Sequence, residues 1–202
     1  MQTRLRGMGV ALITPFKEDG AVDYEALLRL VDYQLQNGTD FLCVLGTTAE
    51  TPTLSKEEKE KVKRTVIDRV NGRIPILLGV GSNSTQAVVD SVKNDDMTGV
   101  DALLVVVPYY NKPSQEGIYQ HYKAVAEATE LPIVLYNVPG RTGLDMSPQI
   151  VKELSQIDNI VAIKECNFNH IGELRNLCGP DFAIYSGEDD KVLPVLAMGG
   201  QG

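Results

Sequence analysis

The stretch Asp23-Tyr-Glu-Ala-Leu-Leu-Arg-Leu-Val-Asp-Tyr-Gln-Leu35, closed by Gly38 and followed by Phe41-Leu-Cys-Val-Leu45, decides the class of fold. Its first part repeats apolar residues every three to four positions behind an aspartate suited to an N-cap, and Gly38 suits the position just past a helix end. Its second part is a continuous apolar run of strand length, the pattern of a strand buried on both faces. The same alternation continues outward in both directions. Further runs of this kind are Val10-Ala-Leu-Ile13, Ile76-Leu-Leu-Gly-Val80, Ala102-Leu-Leu-Val-Val-Val107, Ile133-Val-Leu-Tyr136, Ile160-Val-Ala-Ile163 and Phe182-Ala-Ile-Tyr185. Helical segments between them open as clearly: Ser55-Lys-Glu-Glu58 is a capping box, and Ser147-Pro148 puts a cap before a proline at the first helical position.

Successive strand starts lie 22 to 35 residues apart, room for one strand, one helix and two short loops. Seven such units in a row predict an α/β fold, a (β/α)8 TIM barrel, with residues 1–202 as a single domain. The competing arrangement is an open doubly wound sheet, and its glycine-rich turn is missing. Gly79-Val-Gly81 is followed by Ser-Asn-Ser, and no P-loop lysine motif occurs. After a helical stretch over Asp189–Met198 the chain reaches Gly199-Gly-Gln-Gly202, which reads as the turn into an eighth strand. A seven-stranded barrel would leave two unpaired edges, so the chain is expected to be a fragment truncated before strand eight and a C-terminal helical segment.

Composition excludes several classes of function. With 43% hydrophobic and 23% charged residues over 202 positions, the chain is neither disordered nor collagen-like and can bury a sizeable core. Lys and Arg number 19 against 27 Asp and Glu, a formal charge of −8, and no segment gathers the basic cluster that a phosphate backbone needs. No nucleic-acid partner is expected. No apolar run approaches the roughly 20 residues of a membrane span, and Met1-Gln-Thr-Arg-Leu-Arg6 leads into a segment too short for a signal-peptide core. The expectation is a soluble, cytoplasmic protein with no membrane partner. Three cysteines without a Cys-x-x-Cys pair, and two isolated histidines, His121 and His170, speak against a disulfide framework and against structural zinc. Cys43 and Cys166 read as small buried apolar residues. Neither a cofactor nor a metal is expected.

In barrel enzymes the working groups follow the strands, at their C-terminal ends. Here those positions hold Gly46-Thr-Thr-Ala-Glu50, Pro108-Tyr-Tyr-Asn111, Tyr136-Asn-Val-Pro-Gly-Arg141, Lys164-Glu165 and Ser186-Gly187. Lys164 matters most. An ammonium beside apolar barrel walls loses hydration, which favours the neutral amine that Schiff-base chemistry requires. A lone strand-end lysine more often snorkels to solvent or pairs with a neighbour such as Glu165. Tyr136 and Tyr110 can each give and take a proton, with Thr47 as relay, although a tyrosine with one satisfied hydroxyl is commonly just core. Gly46-Thr-Thr48 can present hydroxyls and N–H groups to a carboxylate, or be an ordinary turn. Arg141 can hold a carboxylate bidentately, or form a surface ion pair. Taken together, an amine, phenols and hydroxyls without a cofactor motif fit covalent carbonyl chemistry.

These segments resemble the pyruvate-dependent class I aldolases of the N-acetylneuraminate lyase superfamily, and within it the dihydrodipicolinate synthase family. The resemblance runs through Ile13-Thr-Pro-Phe16, Gly46-Thr-Thr-Ala-Glu50, Pro108-Tyr-Tyr-Asn-Lys-Pro-Ser-Gln-Glu-Gly117, Tyr136-Asn-Val-Pro-Gly-Arg-Thr-Gly143, Ile163-Lys-Glu165 and Ser186-Gly-Glu-Asp189. It implies that Lys164 forms an imine with pyruvate, whose enamine adds to aspartate 4-semialdehyde to give 4-hydroxy-tetrahydrodipicolinate for lysine and diaminopimelate synthesis. Tyr136 would be the principal proton donor and acceptor. Thr47 would relay between Tyr136 and a Tyr110 that crosses a dimer interface. Thr47, Thr48 and Gly187 would bind pyruvate, and Arg141 the semialdehyde carboxylate. A homodimer or homotetramer is implied, and activity would need the segments beyond Gly202. Asn83 and Tyr109 match the family's lysine-inhibitor site, whereas Ala87, Lys56 and Lys59 stand where strongly inhibited relatives place an acid and histidines, which implies weak lysine inhibition. Two alternatives stay open: a sugar-aldehyde electrophile, as in N-acetylneuraminate lyase or 2-keto-3-deoxy-sugar acid aldolases, and a non-catalytic scaffold.

Overall fold

The computed structural model describes residues 5–202; the Met1–Arg4 part of the segment weighed above as a leader lies outside them. The described residues divide into two compact units, 5–79 with Thr98–Asp101, and Val80–Met97 with Ala102–Gly202.

The first unit carries β1 (Gly9–Ala11), α1 (Tyr24–Gln36), β2 (Phe41–Val44), α2 (Lys56–Val70) and β3 (Ile76–Gly79). Its strands pair in parallel, β1 with β2 and β2 with β3. Asp23 caps α1 through its side chain, which accepts from the Ala26 N–H, and the helix buries Leu27 and Val31, one turn apart on one face. Ser55 and Glu58 form the reciprocal capping box at the start of α2. From there Val62, Val66 and Val70 run as a four-residue stripe into the core. The helix stops at Asn71, which adopts the left-handed conformation that a C-cap favours.

The second unit carries α3 (Thr85–Asn94), β4 (Ala102–Val106), α4 (Gln115–Ala126), β5 (Ile133–Asn137), α5 (Pro139–Thr142), α6 (Pro148–Leu154), β6 (Ile160–Glu165), α7 (Ile171–Cys178), β7 (Ala183–Ser186) and α8 (Val192–Ala197). Strands β4 to β7 pair in parallel in chain order. Ser114 and Ser147 cap α4 and α6, the latter with Pro148 inside the first turn as expected. Leu103, Ile133 and Ile163 are fully buried, each contributing about 1.5–3 kcal/mol by leaving water.

Two expectations need correction. The first apolar run is not a strand buried on both faces: β1 is short and half-exposed, and Ile13 lies beyond its end at 53% exposure. Within Asp189–Met198 only Val192–Ala197 is α-helical, preceded by a 3-10 turn over Asp189–Lys191. After α8 the chain lies along the side of β7 away from β6. The Gln201 N–H donates to the Ile184 carbonyl (2.9 Å), and the Ser186 N–H donates to the Gly202 carbonyl (3.0 Å).

Candidate active site

The sheet register of the second unit places the candidate residues. Tyr136 on β5 pairs with Lys164 on β6, and Lys164 with Tyr185 on β7. In-register residues of parallel strands share a face, so these three form one row. The Lys164 Nζ lies 4.8 Å from the centre of the Tyr136 ring, within cation–π range when the amine is charged. Tyr136 is buried and Lys164 half-buried. The sequence reading did not single out Tyr185; its place two positions before Gly187, in phase with Lys164, was the signal.

The next row faces the other way. Asn137 pairs with Glu165, and Glu165 with Ser186. Glu165 therefore does not partner Lys164, the commonplace alternative for a strand-end lysine: adjacent residues of a strand point to opposite faces. Instead the buried Glu165 carboxylate accepts from Asn137 Nδ2 (2.9 and 3.1 Å) and from the Asn167 backbone N–H (2.7 Å), with His170 Nδ1 3.6 Å away. Asn137 Nδ2 also donates to Asp145 (2.7 Å), and Asn137 Oδ1 accepts from the Met146 N–H (3.0 Å). Asn167 Nδ2 donates to the other Asp145 oxygen (2.8 Å). Burial pushes the Glu165 carboxyl above its ordinary range against the pull of His170, Asn167 and Asn137. The Glu165 carboxylate in turn raises the His170 imidazole.

Asp145, Glu165 and His170 bring ligand atoms within 4.8 Å of one another, a cluster that the sequence reading missed because its members are far apart in the chain. The amide N–H groups of Asn137 and Asn167 donate to both carboxylates, so the cluster is part of a hydrogen-bonded network.

Around Lys164 the backbone is closely packed. Cys166 donates its N–H to the Asn137 carbonyl (3.0 Å), and Gly187 donates to the Glu165 carbonyl (2.8 Å). A Cβ at Gly187 would stand 2.2 Å from Cys166 Sγ, so a side chain there would force the thiol to rotate away. Burial pushes the Cys166 thiol up to about 12, against the lowering effect of Lys164, which leaves it a poor nucleophile.

Arg141 lies in α5 and is exposed, and among the described residues it forms no ion pair, so the surface-pair alternative has no partner here. Tyr110 is not a core tyrosine. It is 84% exposed in the turn after β4, with φ +73°, an uncommon conformation for a side chain of that size.

In the first unit, Thr47 and Thr48 sit exposed in a 3-10 turn over Thr47–Ala49. Leu45 and Glu50 flank this turn with φ of 56° and 55°. Thr51 Oγ1 donates to the Leu45 and Gly46 carbonyls (both 2.9 Å), and Thr14 Oγ1 donates to the Ala49 carbonyl (2.7 Å). Gly79 completes the support, since a Cβ there would come within 2.1 Å of the Leu45 carbonyl oxygen.

Comparison with known proteins agrees with this geometry. Residues 4–202 match the model of the dihydrodipicolinate synthetase family. The 4-hydroxy-tetrahydrodipicolinate synthase of Phocaeicola vulgatus is 67% identical, over 100% of this chain and 69% of that protein. The Parabacteroides distasonis enzyme of the same name is 58% identical, over 98% and 68%. Among solved structures, dihydrodipicolinate synthase from Bacillus anthracis superposes with a TM-score of 0.95 at 46% identity, over 99% of this chain and 69% of that one. A monomeric dihydrodipicolinate synthase variant superposes at 0.94 with 45% identity, over 98% and 68%. The α/β barrel fold expected from the strand spacing is the fold of these synthases. The chain belongs to the dihydrodipicolinate synthetase family.

Proposed function

We propose that this chain condenses pyruvate with aspartate 4-semialdehyde through a Schiff base on Lys164, yielding 4-hydroxy-tetrahydrodipicolinate. The observation that carries the reading is the placement of the Lys164 amine against the Tyr136 ring on adjacent strand ends, in a chain of this family. The neutral amine attacks the pyruvate ketone carbon, and loss of water from the carbinolamine leaves an iminium. Removal of a methyl proton gives the enamine, whose carbon bonds to the aldehyde carbon of the semialdehyde while the aldehyde oxygen takes a proton. The semialdehyde amine then attacks the iminium carbon, closing the ring and releasing the Lys164 amine. Tyr136 is assigned the supply and acceptance of these protons, supported by its ring beside the amine.

Thr47 and Thr48 are assigned the pyruvate carboxylate, together with the Gly187 backbone, and Thr47 the proton relay. Arg141 is assigned the semialdehyde carboxylate; its exposure without an ionic partner supports that role. Tyr110 is assigned to a dimer interface as the second phenol, supported by its exposure on a turn held in an uncommon backbone conformation. A dimer, alone or paired into a tetramer, is the assembly this reading requires. We assign the enzyme to the cytoplasm: Cys43, Cys166 and Cys178 are all free, as in a reducing compartment, and among the described residues no helix is long and apolar enough to cross a membrane.

The test is turnover with pyruvate against both electrophile classes. Condensation with aspartate 4-semialdehyde, weakened about tenfold or more in Arg141→Ala, is expected. Cleavage or synthesis of a keto sugar acid, indifferent to Arg141→Ala, would contradict it.

A further inference from the structure

Asn137 and Glu165 directly follow Tyr136 and Lys164 in the chain, pair with each other in register, and point to the opposite face of the sheet. Both are essentially inaccessible to solvent, at 0% and 2% exposure. An apolar pair would hold two strands together there without the desolvation cost that a buried carboxylate carries. What the carboxylate adds is direction: an Asn137 N–H on β5, shared between its two oxygens, and the Asn167 backbone N–H just after β6 fix it. Asp145 then ties Asn137 to Asn167 from a third segment, and His170 faces Glu165 and Asp145 at 3.6 Å each. The result is a closed loop of polar contacts immediately behind the two residues whose separation governs the reaction.

We propose that Glu165 is a positioning residue for Lys164: bonded to Asn137 across β5 and β6 and braced by Asn167, Asp145 and His170, it fixes the strand end that presents the amine to the Tyr136 phenol. This rests on the Schiff-base reading above. Glu165 touches neither substrate nor amine, because it lies on the other face of β6; its effect is geometric. Misplacing reacting atoms by an ångström costs as much as about 10²-fold in rate, and a strand end freed of its brace is a direct route to such a shift. A brace that served stability alone would change the amount of folded protein and leave the reactivity of each folded molecule unchanged.

The experiment measures how fast a borohydride-trappable pyruvate adduct forms on Lys164 in the full-length protein, extended beyond Gly202, at saturating pyruvate and at a temperature where circular dichroism shows each variant folded. Glu165→Ala is expected to slow adduct formation by about tenfold or more, as for misaligned groups, with the loss in kcat and little change in the KM for pyruvate. Glu165→Gln keeps one acceptor oxygen for Asn137 and the Asn167 N–H and is expected to recover most of the rate. Should Glu165→Ala not fold, Asp145→Ala, which releases both asparagines from a partly exposed site, carries the test with a smaller loss in the same direction. Folded variants that trap pyruvate at the wild-type rate overturn the positioning role while leaving the Schiff-base reading intact. A wild-type chain that forms no adduct on Lys164 overturns that reading, and the proposal with it.

Discussion

Two strand ends of this chain prepare functional groups in opposite ways. After β2, the Gly46–Glu50 turn shows its threonine hydroxyls to solvent and is shaped by backbone: left-handed Leu45 and Glu50, carbonyls captured by Thr51 and Thr14, and the close approach of Gly79. After β5 and β6 the backbone is regular, and side chains set the geometry through the buried Asn137–Glu165 network. On the proposed reading, a hydroxyl pair that donates hydrogen bonds to a carboxylate works from a solvated turn, whereas an amine that forms a covalent bond gains from a neighbour fixed in place.

Breaking the network should have the largest effect on the molecule as a whole. Glu165→Leu removes the acceptor of the Asn137 and Asn167 N–H groups and leaves buried donors unsatisfied, at about 1–3 kcal/mol each. Denaturant unfolding is expected to show a fall of several kcal/mol; a variant within 0.5 kcal/mol of wild type would show that the network contributes little. Arg141→Ala should act on chemistry alone. Loss of a charge-assisted bond of about 1.5–3 kcal/mol predicts roughly a tenfold to hundredfold fall in kcat/KM for aspartate 4-semialdehyde, with unchanged trapping of pyruvate.

The network also predicts a pH dependence that the hydroxyl turn lacks. The Glu165 carboxylate raises the His170 imidazole above its ordinary value, so this pairing stabilises the fold fully below about pH 6.5 and fades as pH rises through the elevated value. Burial raises the Glu165 carboxyl as well, which acts with the same sign. Melting temperature is expected to fall across that interval in the wild type and to fall less in His170→Gln. A wild-type melting temperature that rises there would contradict the pairing. On the other strand end, Glu50→Gly should relieve a left-handed residue at a cost now carried of about 1–2 kcal/mol, offset in part by the entropy of glycine. A small rise in melting temperature is expected, and a marked fall would show that the Glu50 side chain holds the turn. Smallest of all is the response to lysine: with Ala87, Lys56 and Lys59 at the positions that the family resemblance assigns to an inhibitor site, submillimolar lysine is expected to leave more than half the activity.

The strands were legible because buried parallel strands are continuous apolar runs, and six of the seven runs start within one residue of the observed strands and overlap them over nearly their full length. Val10–Ile13 misled at its C-terminal end, since Ile13 is apolar yet exposed. Lys164, Tyr136 and Arg141 were legible from their positions after strands. The network was not. Its members come from β5, from the turn before α6, from β6 and from the segment entering α7, and each looks in sequence like an ordinary polar residue near a rim. Only the register, which turns Lys164 to one face and Glu165 to the other, shows that the second carboxylate is buried.

The Lys164 amine is expected to form an imine with a keto acid. Incubating the full-length protein, extended beyond Gly202, with pyruvate, reducing with borohydride and mapping the peptides shows where the adduct forms. A reduced pyruvate adduct on Lys164, absent in Lys164→Arg because guanidinium stays protonated, is the predicted result. An adduct on another lysine, or none, would contradict the account.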